Sequence, residues 1–157
     1  MSLAVTALVL LLALMPAAGV EPRLIDAVKA GNRDAVRTLL KSADVNAAEV
    51  DGTTALHWSV RANDLDTTRL LLGAGARADQ ANRYGVTPLS LAALNGNAAV
   101  VDALIKAGAD PAATVSNGQT MLMIAARSGN PDAMNVLLAR HVDVNAREQV
   151  LGETALI

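Results

Sequence analysis

The sequence predicts an all-α fold, a solenoid of stacked helix–turn–helix units joined by finger-like β-turns. Three observations carry that expectation. Gly52-Thr53-Thr54-Ala55-Leu56-His57, Gly85-Val86-Thr87-Pro88-Leu89-Ser90 and Gly118-Gln119-Thr120-Met121-Leu122-Met123 align without gaps, with their glycines 33 residues apart, the signature of a stacked array. A second marker recurs between them, as Leu71-Leu72-Gly73-Ala74-Gly75-Ala76, Leu104-Ile105-Lys106-Ala107-Gly108-Ala109 and Leu137-Leu138-Ala139-Arg140-His141-Val142. The chain of 157 residues is 52% hydrophobic yet holds one Trp, one Tyr and no Phe. Its interior is therefore built from Ala, Leu, Val, Ile and Met, which suits small-faced helices better than strands rich in aromatic and β-branched residues.

Taken from the N-terminus, residues 1–20 carry no charged side chain, and all 13 Lys and Arg and all 15 Asp and Glu follow them. An apolar run over residues 3–15, broken only by Thr6, leads into Pro16, Ala17, Ala18 and Gly19. That layout predicts a secretory signal peptide over residues 1–19, cut ahead of Val20, although no Lys or Arg precedes the run. As an uncleaved anchor the run is short against the roughly 20 residues that span a bilayer, and it offers no wet face to a buried core helix. Export without any cysteine fits a bacterial periplasmic or secreted protein.

The array follows, over residues 22–157, with an N-terminal capping unit at 22–47, units at 48–80, 81–113 and 114–146, and a truncated unit at 147–157. Thr54, Thr87, Thr120 and Thr154 stand where a helix wants an N-cap oxygen, and Pro88 follows at the one position where a missing N–H does no harm. The first helix of each unit is expected to end near Asn63, Gly96 and Gly129, where a left-handed residue turns the chain. A second helix, with Leu70 and Leu71, Val100, Val101 and Leu104, or Met134, Leu137 and Leu138 at helical spacing, closes at Gly75 and Gly108. Trp58, Leu91 and Ile124 share one position facing a neighbouring unit, and the polar Asp26 in their place marks the first unit as a cap. Gly152 follows Gly118 by 34 residues, which predicts one extra residue in the last finger. Thr154-Ala155-Leu156-Ile157 reads as the first turn of a helix, so the sequence predicts either a fragment or an uncovered, self-associating end.

These repeats resemble the ankyrin repeat, with its period of about 33 residues and its T-P-L-H-x-A signature. Thr87-Pro88-Leu89-Ser90-Leu91-Ala92 matches all but the His, Thr54-Ala55-Leu56-His57 keeps the His without the Pro, and Gly108-Ala109-Asp110 and Asp143-Val144-Asn145-Ala146 match the turn. The resemblance covers about residues 22–157.

No chemistry competes with that reading. Gly73-Ala74-Gly75-Ala76-Arg77-Ala78 spells a dinucleotide-loop pattern but ends a helix where a strand should precede it. His57 is expected to bond Thr54 and the neighbouring turn, and His141, standing where Gly75 and Gly108 stand, to adopt a positive φ. The serines lack a nucleophile context, the carboxylates form no pair, and the methionines read as core filler. Without Cys, and with two His in separate units, neither a metal nor a cofactor is expected. A formal net charge of −2 argues against a nucleic-acid partner.

The resemblance implies a non-catalytic scaffold for protein–protein interaction, recognising its partner with finger tips and inner helices. Carried over by position, the tips are Val50, Asp51 and Thr53, then Arg83, Tyr84 and Val86, then Ser116, Asn117 and Gln119. The adjoining helix positions are Arg61, Leu94 with Asn95, and Arg127. Tyr84 is the leading anchor, followed by Arg83. Lys29, Arg61, Leu94 and Arg127 form one column, whose cations would favour an acidic partner protein, although cations at helix C-termini also answer the helix dipole. The second reading is an N-terminal recognition module of a longer protein whose catalytic or transport domain lies beyond residue 157. Capture of a small ligand in the groove is third, since no aromatic-lined pocket is visible in the sequence.

Overall fold

The computed structural model describes residues 23–149 and 152–156. The predicted export segment, residues 1–19, lies outside the described residues. Among the described residues eight helices pair into four units: α1 (Leu24–Lys29) with α2 (Arg33–Leu39), α3 (Ala55–Arg61) with α4 (Leu65–Gly73), α5 (Pro88–Asn95) with α6 (Ala98–Lys106), and α7 (Met121–Ser128) with α8 (Pro131–Leu138). The first helices of the units pack in one row, the second helices in another. No sheet forms among the described residues, only isolated bridges Ala48 to Thr54 and Thr114 to Thr120.

The first helices α3, α5 and α7 start directly after Thr54, Thr87 and Thr120, as predicted, while α1 follows Arg23 without a side-chain cap. Thr87 Oγ1 accepts from the Ser90 N–H at 3.1 Å while the Thr87 N–H donates to Ser90 Oγ at 3.0 Å. Thr120 Oγ1 likewise accepts from the Met123 N–H at 3.2 Å. Asn63 (φ 58°), Gly96 (φ 69°) and Gly129 (φ 71°) then turn the chain left-handed. At Gly96 the need is double, since an added Cβ would also stand 2.8 Å from Asn130 Cβ and 2.9 Å from Ser128 Oγ in the next unit.

The second helices carry caps that the sequence analysis did not single out. Asn32 Oδ1 accepts from the Ala35 N–H, Asp64 Oδ1 from the Thr67 N–H, and Asn97 Oδ1 from the Ala99 and Val100 N–H groups. Asn130 Oδ1 caps α8 through the Asp132 N–H. The same residues tie units together: Arg33 pairs with Asp64 at 2.8 Å, and Asn97 Nδ2 donates to Asn63 Oδ1 at 2.7 Å.

Leu56, Leu71, Leu104, Met121 and Leu137 lie fully buried between the two rows, each such side chain contributing roughly 1.5–3 kcal/mol. No unit could bury these faces alone. In the first unit Leu24, Ile25, Ala27 and Val28 are buried while Asp26 stays exposed, as a cap requires. In the last, residues 155–156 form a turn in which the Leu156 N–H donates to Thr154 Oγ1 at 3.3 Å.

Candidate protein-binding groove

The fingers are narrow turns closed by two backbone bonds each. Glu49 N–H donates to Thr53 O and Gly52 N–H to Glu49 O, and the pattern recurs at Asn82 to Val86 and Val115 to Gln119. In the last finger Glu148 N–H reaches Glu153 O, a loop one residue longer, where the predicted insertion falls. Short side chains stiffen the tips: Asp51 Oδ1 accepts from the Thr53 N–H at 2.9 Å, which holds the Asp51 carboxyl below its ordinary pKa. Asn82 performs the same task for the second finger, accepting from both the Tyr84 and Val86 N–H groups while its Nδ2 donates to Thr53 Oγ1.

His57 joins α3 to the following finger. Its Nε2–H donates to Val86 O at 3.1 Å, and its Nδ1 accepts from the Thr54 hydroxyl at 2.8 Å and the Thr54 N–H at 3.2 Å. This arrangement needs the neutral ring, and burial holds the pKa below its ordinary value. His141 adopts the expected positive φ, 58°, on the surface. Gly73 ends α4 and Gly75 turns with φ 91°, so the glycine-rich string at 73–78 is a helix terminus with no strand before it.

The thirteen sequence-selected positions divide by what their side chains do. Val50 (91% exposed), Tyr84 (68%) and Leu94 (55%) present their side chains to solvent. Arg83 is bonded: its guanidinium donates to Val50 O at 2.8 Å and its N–H to Asp51 O at 2.7 Å, strapping one finger to the one before. Asn95 Nδ2 is spent in a bond to Val60 O at 2.9 Å, pinning α5 to the end of α3. Thr53 and Val86 are half-buried and bonded within and between fingers. Ser116 and Asn117 are exposed, and Asn117 Oδ1 accepts from the Gln119 N–H at 3.2 Å.

Two adjoining hollows run between the fingers and the first helices. One, of about 420 Å³, is walled by Tyr84, Leu91, Leu94, Val115, Ile124 and Arg127 among others. The other, of about 340 Å³, is lined by Trp58, Tyr84, Asp51, Arg61 and Leu91 among others, so Tyr84 and Leu91 separate the two. Here the sequence reading needs correction. Trp58 and Tyr84, the sole aromatic residues of the chain, line one hollow, although no aromatic-lined pocket was visible in the sequence. Stacking brings together residues of successive units that sequence separates. Trp58, Leu91 and Ile124 thus face their neighbours, as expected, and also border the groove.

The cation column is modified by a carboxylate. Lys29 Nζ lies 2.6 Å from Glu49 Oε1 and 4.2 Å from the Trp58 ring centre, while Glu49 Oε2 accepts from Trp58 Nε1 at 2.7 Å. Lys29 and Trp58 together hold the Glu49 carboxyl below its ordinary pKa. Lys29 is thereby neutralised. Arg61, whose guanidinium carbon lies 5.6 Å from the Trp58 ring centre, and Arg127 lie in no ion pair among the described residues.

Comparison with known families places this geometry. A family described as "Ankyrin repeats (3 copies)" matches residues 24–115, and "Ankyrin repeat" matches residues 117–146. The chain belongs to the ankyrin-repeat family. Among similar proteins, a fem-1 homolog A-like protein of Mus musculus is 38% identical over 77 residues, covering 48% of this chain and 12% of that protein. The tyrosine-protein kinase HTK16 of Hydra vulgaris is 34% identical over 94 residues, 57% of this chain and 12% of the kinase. The palmitoyltransferase Hip14 of Drosophila melanogaster is 39% identical over 103 residues, 61% of this chain and 16% of the transferase. The segment matched in these relatives spans under a fifth of their length. Ankyrin repeats typically bind proteins, and the groove exposes Tyr84 and Leu94 beside Arg127.

Proposed function

We propose that the protein is a non-catalytic, exported scaffold that recognises another protein in the groove between its fingers and first helices. The observation that carries this reading is the exposure of Tyr84 and Leu94 over a groove whose walls are locked: Arg83, Asn82, Asn95 and His57 hold successive units in register. A rigid, apolar surface with a central aromatic residue loses little entropy on binding. The test replaces Tyr84 with a photo-reactive aromatic amino acid in producing cells. A discrete adduct with a second protein, lost when Leu94→Asp is added, is expected. Absence of any adduct sinks the reading.

Export rests on the uncharged apolar segment ending in Ala17, Ala18 and Gly19, and we propose a periplasmic or secreted bacterial location on that pattern. N-terminal sequencing of the mature chain is expected to begin at Val20, and a chain that retains Met1 in the cytoplasm refutes it. The recognition-module reading draws support from the relatives, in which the matching segment belongs to far longer proteins named as a kinase and a transferase. Sequencing the coding region beyond the Ile157 codon decides it, since an open frame into a catalytic or transport domain is what this reading requires.

A further inference from the structure

We infer that the partner enters the groove as an extended, proline-containing acidic segment: a proline between Trp58 and Tyr84, an aliphatic side chain three residues on, and a carboxylate beside Arg127. The inference rests on the protein-recognition reading above and names the chemistry of the partner for that same groove. It follows from the way the two hollows differ. The first has Trp58 and Tyr84 in its walls, and flat aromatic walls accept the ring of a proline, whose extended conformation is already ordered before binding. The second is walled by Leu91, Leu94, Val115 and Ile124 and suits a branched aliphatic side chain.

Spacing selects the conformation. The hollows lie one unit apart along rows of packed helices, a step of about 8–10 Å. A polyproline-type segment repeats its face every third residue, after about 9 Å. A β-strand returns to the same face after two residues and about 7 Å, or after four and about 13 Å, and misses that step. Tyr84 then stands between the two inserted side chains, in contact with both.

Charge sets the direction. The aliphatic hollow has a single charged residue in its wall, Arg127, and no carboxylate. The aromatic hollow contains both Arg61 and Asp51, and Glu49 already neutralises Lys29 at its edge. Arg127 is also shared with a third hollow, which holds Glu148 and Glu153. Of the two hollows that the segment fills, only the aliphatic one has a cation in its wall without a carboxylate beside it, so the acidic residue follows the aliphatic one.

The probe is the synthetic peptide Ala-Pro-Ala-Ala-Leu-Asp-Ala added to the purified full chain. Trp58, the single tryptophan, reports occupancy of the aromatic hollow through its emission. A saturable change in emission is expected, weakened about tenfold by Tyr84→Ala, by moving the leucine one residue toward the proline, or by Asp to Lys in the peptide. Arg127→Glu is expected to reverse the preference between the Asp and Lys peptides. Emission unchanged at millimolar peptide, equal binding of the Lys peptide, or indifference to the proline–leucine spacing overturns the inference. If the photo-reactive residue at position 84 still yields its protein adduct in that case, the recognition reading stands and only this partner chemistry falls. If the adduct is missing too, both fall.

Discussion

Replacing His57 with Ser isolates the bond that joins two neighbouring units. The structure supplies its own control, because Ser90 occupies the same position one unit later. There Ser90 Oγ accepts from the Thr87 N–H and bonds back to Thr87 O, yet bonds nothing in the following finger. His57→Ser therefore keeps a local cap and loses the 3.1 Å bond to Val86 O. Val86 is half-buried beside a hollow, so water takes over its carbonyl and the hydrogen-bond loss falls near the low end of the usual range, about 1 kcal/mol. The void left by a ring that is 2% exposed adds roughly 1–3 kcal/mol, less than a Phe→Ala truncation. The expected loss of about 2–4 kcal/mol lowers the urea midpoint by roughly 1–2 M at a slope of about 2 kcal/mol/M. Far-UV circular dichroism at pH 7.5 reads it without relying on the nearby Trp58.

The same variant carries a pH signature. Burial lowers the His57 pKa in the folded chain below its ordinary 6.5, so as pH falls the unfolded chain takes up the proton first. The stability from His57 is complete above 6.5 and declines as pH drops through 6.5 toward the lower folded value. The parent is expected to lose stability between pH 7.5 and 5.5 by an increment that His57→Ser lacks. A variant within about 0.5 kcal/mol of the parent at pH 7.5, or one with an unaltered pH profile, would refute the assignment of His57 as an inter-unit link.

Further substitutions test other parts of the stack. Leu89, 2% exposed, changed to Asp buries a charge between units and should abolish the cooperative thermal transition, and a stable, fully helical Leu89→Asp variant would contradict the packing described. Gly96→Ala combines a positive φ with contacts below 3 Å to Asn130 and Ser128 and is expected to destabilise by about 2 kcal/mol in urea. His141→Gly removes a side chain from an exposed φ of 58° and should stabilise by about 0.5 kcal/mol, the sign being the test. Asn97→Ala removes both the α6 cap and the bond to Asn63, for an expected loss of about 1–2 kcal/mol. Arg83→Ala should lower stability through the lost strap to Val50, which makes Tyr84→Ala alone the cleaner probe of binding.

The fold was legible because its contacts repeat at short range. Gly-x-Thr at fixed spacing locates α3, α5 and α7, and the left-handed turns at Asn63, Gly96, Gly129 and His141 follow from residues that tolerate them. The caps Asn32, Asp64, Asn97 and Asn130 were equally present in the sequence, as Asn or Asp directly after the turn residue. The candidate site was less legible. Arg83 and Asn95 look in sequence like free polar groups, and whether such a side chain reaches solvent or a neighbour's carbonyl depends on where the next unit places its backbone.

By itself, then, the sequence determined the repeat, the starts of α3, α5 and α7 and the residues that turn the chain, because those are local choices of cap, dihedral and apolar period. Tertiary structure alone decided which side chains meet across units: that Lys29 is neutralised by Glu49, that Arg83 is a strap, and that Trp58 and Tyr84 line one hollow. The physical reason is that stacking sets residues about 33 positions apart side by side, and the energy of a charge or an aromatic ring depends on what stands next to it in space.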